Sequence, residues 1–96
     1  MPTIDIRRTH RRSPDEVRNA IEQVMASIGE RFGIRHRWQG GGVAFSRAGV
    51  NGRVDLGPGI IHIHAELGFL LAGLKPSIVR EIEHRLDREF GPADSA

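Results

Sequence analysis

Leu67-Gly68-Phe69-Leu70-Leu71-Ala72-Gly73-Leu74 is a block of eight residues without a charge. Before it, apolar residues alternate with polar ones, the period of a half-buried strand. After it, they recur near every 3.6 residues, the period of an amphipathic helix. The block therefore marks where a sheet hands over to a helix. A bilayer-spanning helix needs about 20 apolar residues, so this one is too short to cross a membrane. It must either cover the protein's own core or present an apolar surface to something else.

Downstream of the block, Leu67, Leu71, Leu74, Ile78, Ile82 and Leu86 keep one helical phase through Pro76. A proline inside a helix removes one backbone hydrogen bond and costs about 3 kcal/mol, usually as a kink. The unbroken phase predicts one helix bent near Pro76, ended by Gly91-Pro92. Glu81 and Arg85 are spaced for an i,i+4 ion pair on its outer side.

Upstream, four short alternating segments are separated by glycine-rich turns. Ile34, His36 and Trp38 share one strand face and Arg35, Arg37 and Gln39 the other. Val43 and Phe45 point inward in the next strand. Val50, Val54 and Leu56 follow in a third, where Gly52 marks a gap or a bulge. Ile61, Ile63 and Ala65 face the core in the last, which leaves His62, His64 and Glu66 outside. Farther back, Thr3 to Arg7 reads as a first strand and Arg8 to Arg12 as a polar connector. Ser13-Pro14-Asp15-Glu16 carries a capping box with proline in the first turn, a clear helix start. Val17, Ile21, Val24, Met25, Ile28 and Phe32 form the helix's apolar stripe, and Gly33 is placed to end it.

The order is β-α-β-β-β-β-α. This predicts a two-layer α+β fold: an antiparallel sheet of about five strands with two helices on one face. The first strand is expected to pair beside the fifth. Residues 1–92 form one domain and residues 93–96 a frayed tail.

Of 96 residues, 39% are hydrophobic and 27% charged, as in ordinary globular chains. The absence of cysteine excludes disulfides and thiolate metal sites. The N-terminus alternates instead of showing the apolar core of a signal peptide, so cytoplasmic residence is expected. Net charge is only +2, although 13 of the 14 basic residues are arginine. That balance favours nucleic-acid binding only if the charge clusters in space.

Several groups could carry chemistry. His62 and His64 lie two apart on one strand face, a spacing able to chelate zinc if Glu66 or Asp55 completes the set. Two polar residues on a wetted sheet face are the plainer reading, and no metal or other cofactor is expected. Arg7, Arg35, Arg37 and Arg53 share the predicted open face and could form an anion patch. Base stacking would require exposed aromatics there, and Trp38 and Phe45 fall on the core phase. No nucleophile is placed beside a base, and Gly40-Gly41-Gly42 matches no phosphate-binding loop, so no catalytic residue is assigned. Phe69 and Leu70 lie off the main apolar stripe. If exposed, they form a small interaction surface.

Thr3-Ile4-Asp5-Ile6-Arg7-Arg8 with His10, Arg31-Phe32-Gly33, Trp38 with Gly40, Gly49-Val50 with Gly52, Ala65-Glu66-Leu67-Gly68, Leu74-Lys75-Pro76 and Leu86-Asp87 with Phe90 resemble the small polyhydroxyalkanoic acid system proteins. These are also called polyhydroxyalkanoate granule region proteins. The resemblance covers nearly the whole chain. It implies a bacterial, cytoplasmic, non-enzymatic protein at polyhydroxyalkanoate granules, with the granule surface or a granule protein as partner. It supplies no catalytic residues. The topology also resembles a shortened helix-grip fold, as in Bet v 1 and START-type proteins, which enclose amphiphiles. That likeness implies a second function, amphiphile binding in a reduced pocket between Trp38, Phe45 and the last helix. Nucleic-acid or anion binding through the arginines is the third.

Overall fold

The computed structural model describes residues 2–91. Its elements are β1 (Thr3–Thr9), α1 (Pro14–Phe32), β2 (Arg35–Gln39), β3 (Gly42–Arg47), β4 (Val50–Gly57), β5 (Ile60–Leu67), a 3₁₀ helix (Phe69–Leu74) and α2 (Lys75–Phe90). The five strands form one antiparallel sheet in the order β1-β5-β4-β3-β2. The first strand thus pairs beside the fifth, as expected, and β1 and β2 are the two edges. The fold is α+β.

Alternation dictates the layering. Ile4 and Ile6 of β1, Val43 and Phe45 of β3, Val50 and Val54 of β4, and Ile61, Ile63 and Ala65 of β5 all turn to one side. There they merge into a single core with Val17, Ile21, Val24, Met25 and Ile28 of α1 and Ile78, Ile82 and Leu86 of α2. Both helices therefore roof the same face, and the other face is open. α1 begins and ends as its residues prescribe. Ser13 caps it in a complete capping box, and Gly33 closes it at φ 69°, a conformation that costs glycine little.

The apolar block resolves differently from the single bent helix. Leu67 is fully buried at the end of β5, opposite Val50. Gly68 leaves the strand, and its N–H donates to the Gly49 carbonyl at 2.7 Å. The chain then makes one short 3₁₀ segment, and α2 starts at Lys75 with Pro76 in its first turn. At that position the missing N–H has no intrahelical partner to lose, so proline begins the helix and kinks nothing. The shared spacing of Leu67, Leu71, Leu74 and Ile78 is real, but it spans a strand, a 3₁₀ turn and a helix.

Three further expectations are corrected. β1 runs to Thr9, and Arg8, read as part of a connector, is 8% exposed on the core side. Its Nη1 donates to Asp87 Oδ1 at 3.0 Å, tying β1 to α2. Glu81 is not on the outer side of α2; it is buried at the α1–α2 seam. It accepts from Ser27 Oγ, from Arg31 Nη1 at 3.0 Å and from Arg85 Nε at 3.4 Å. Gly52 marks no bulge, since the ladder runs without interruption on both sides of it. A Cβ there would sit 2.5 Å from Phe45 Cζ and 2.7 Å from the Ala65 Cβ. The missing side chain is the seat of the Phe45 ring. The tail at 93–96 lies outside the described residues.

Candidate functional site

The corner after β5 carries the largest exposed apolar side chains. Phe69 is 89% exposed and Leu70 92%. Local anchoring explains this. Leu71 packs onto the core, and its Cδ1 lies 2.7 Å from where a Cβ on Gly49 would stand. Gly49 itself is at φ 87°. The Leu71 N–H donates to the Gly68 carbonyl at 3.0 Å, which tightens the turn. With Gly68 and Leu71 fixed, the two residues between them are turned into solvent. Leu74, at 38% exposed, follows on the same segment.

The open sheet face brings His62 and His64 together, with ring centroids 5.1 Å apart. The register sets each histidine opposite one aspartate, Asp55 across from His62 and Asp5 across from His64. The hydrogen bonds run diagonally instead. His62 Nε2 lies 2.9 Å from Asp5 Oδ1, and His64 Nε2 lies 3.2 Å from Asp55 Oδ2. Each Nε2 is thus turned onto its own carboxylate, away from any common point. No group of three histidine, aspartate or glutamate side chains able to hold a metal ion occurs among the described residues.

Arg7, Arg35, Arg37 and Arg53 do share this face, but they do not act as one patch. Arg53 Nε donates to Asp55 Oδ1 at 2.6 Å, and Arg7 Nε lies 3.6 Å from Asp5 Oδ1. The Arg53 hydrogen bond, with a smaller contribution from His64, holds the Asp55 carboxyl below its ordinary range. The result is two carboxylates, each held between an arginine and a histidine: Asp5 by Arg7 and His62, and Asp55 by Arg53 and His64. Of these four, Arg35 and Arg37, on the edge strand, lack a carboxylate partner among the described residues.

On the roofed side, Trp38 and His36 are both tied to Glu22. Trp38 Nε1 donates to Glu22 Oε1 at 2.8 Å, and His36 Nε2 lies 3.0 Å from the same carboxylate. These contacts, Trp38 foremost, hold Glu22 below the usual carboxylate range. The Arg18 guanidinium covers the indole at 4.4 Å. Phe45 is 3% exposed, and Ile82 and Leu86 of α2 are 1% or less. The region expected to hold a reduced helix-grip pocket is packed with side chains.

A cleft that the sequence does not announce lies at the other end of the sheet from Phe69. It has a volume of about 480 Å³, between the start of α1 and the turns that precede β3 and β5. Its residues come from segments far apart in the chain, which is why no local pattern signals it.

No helix is long and apolar enough to cross a membrane, among the described residues. No curated protein matches this chain. No solved structure matches it either. A family model described as "Putative polyhydroxyalkanoic acid system protein" matches residues 4–90, and the chain belongs to that family.

Proposed function

We propose that this is a non-enzymatic protein of the polyhydroxyalkanoate system that works in the cytoplasm and docks on the granule surface through Phe69 and Leu70. Family membership supports the system. The observation that carries the docking surface is two adjacent large apolar side chains, each about nine-tenths exposed, on a segment anchored at Gly68 and Leu71. A hydrophobic polymer surface is one on which such side chains gain by leaving water. Burying one fully is worth about 1.5–3 kcal/mol, and each 1.4 kcal/mol is tenfold in affinity.

The test is co-sedimentation of the purified protein with isolated granules. Phe69→Asp and Leu70→Asp are each expected to weaken retention about tenfold or more, while shifting unfolding stability by no more than about 0.5 kcal/mol. Retention that ignores both substitutions refutes the docking surface. Retention lost only after the granule-bound proteins are stripped makes the partner a granule protein. Binding to nucleic acid through the arginine face has weaker support, because Arg7 and Arg53 already face carboxylates.

A further inference from the structure

The cleft at the start of α1 has a chemistry unlike the rest of the surface. Val17, Leu56 and Pro58 give it an apolar lining, and Arg12, Arg18 and His10 are its ionisable members. Among the described residues, no aspartate or glutamate lines it. On the open sheet face Arg7 and Arg53 meet carboxylates; among the described residues this cleft has none in its lining. Its volume, about 480 Å³, falls within the range of small-molecule sites.

The partners of the three basic residues leave donors in excess. Arg12 meets Glu16 Oε2 only at 3.8 Å, and the Glu16 carboxylate already accepts from the Ser13 N–H at 3.0 Å. Arg18 rests on the Trp38 ring. The Arg12 backbone N–H donates to His10 Nδ1 at 3.1 Å, which puts the ring proton on Nε2. That Nε2 is buried and has no hydrogen-bond partner among the described residues.

We propose that this cleft binds a single-chain amphiphilic carboxylate. The chain lies against Val17, Leu56 and Pro58, and the head is held between Arg12 and Arg18, whose planar forks suit a carboxylate. An apolar chain alone would leave the arginines unused, and a bare anion would leave the apolar lining wet.

The test uses the full ¹⁵N-labelled chain and octanoate below its micellar concentration. Saturable amide shifts are expected at Val17, Leu56, Gly57 and Gly59. Octanol, which has the chain without the charge, and acetate, which has the charge without the chain, are each expected to bind at least tenfold more weakly. The double variant Arg12→Gln/Arg18→Gln should lose about tenfold in octanoate affinity. Leu56→Glu, which places a carboxylate in the lining, should abolish binding. Should Leu56→Glu misfold, the three ligands on the unaltered protein decide the matter. Shifts that never saturate, saturation confined to Phe69–Leu74, or octanol or acetate binding as tightly as octanoate would overturn the proposal. Phe69→Asp is expected to leave octanoate binding unchanged, so failure of granule docking and failure of this site are separable.

Discussion

Glu81 illustrates what a single residue can do once the helices meet. Alone on α2 it is half of an exposed i,i+4 pair, worth a few tenths of a kcal/mol. Against α1 it becomes the shared acceptor of Ser27, Arg31 and Arg85. The Ser27 hydrogen bond, followed by the two arginines, lowers its pKa against the cost of burial. A carboxyl depressed in the folded state contributes stability that is present above its unfolded value, near 4.5, and is lost as pH falls through the lower folded one. Replacing Glu81 with Gln is expected to cost about 2 kcal/mol at pH 7, the scale of charged hydrogen bonds with partly exposed partners. Urea denaturation from pH 7 to pH 3 should show the gap between Glu81→Gln and the parent protein narrowing as pH falls. A gap that is constant with pH would mean the charge is not what stabilises the seam.

At the scale of elements, the decisive boundary is the one at Pro76. The spacing of Leu67, Leu71, Leu74 and Ile78 fits a continuous helix, and so does a strand, a 3₁₀ turn and a new helix in succession. Only the pairing of Leu67 with Val50 and the Gly68–Gly49 hydrogen bond choose between them. Stability separates the alternatives. Were Pro76 inside a helix, Pro76→Ala would relieve the lost bond and raise stability by about 3 kcal/mol. In the first turn of α2 the same change is expected to leave stability unaltered, or to lower it by up to about 1 kcal/mol through a freer unfolded chain. Thermal or chemical unfolding of the variant reads the difference directly. α1 needed no such arbitration, because its start and stop signals are local: Ser13 with Glu16 at one end and Gly33 at the other.

Across the whole molecule, protection should follow the sheet order. β5 and β4 are two of the three inner strands, with Ile61, Ile63 and Val54 fully buried. β2 is a short edge strand without a fully buried side chain, and the Phe69–Leu74 segment buries none of its residues. Native-state hydrogen exchange is expected to be slowest in β4 and β5 and fastest in β2 and Phe69–Leu74. Uniform protection across all five strands would argue that the molecule opens only as one unit. The same architecture sorts its surfaces by character: an open face of arginines, histidines and aspartates, an apolar corner after β5 and a donor-rich cleft at the opposite end.

Sequence alone determined the order of the strands and α-helices, the side of each strand that faces the core, and both ends of α1. Each of these follows from periodicity or from capping residues within one turn of each other. It also exposed the apolar corner, because Phe69 and Leu70 fall off the helical stripe. Tertiary structure decided the rest. The burial of Arg8 and Glu81 depends on partners at Asp87 and Ser27, which are 79 and 54 residues away in the chain. The diagonal pairing of His62 with Asp5 and His64 with Asp55 follows from the register of three strands. The cleft takes its walls from α1 and two distant turns. Local patterns record what a residue does to its own helix or strand, and these contacts exist only once separate elements are brought within a few ångströms.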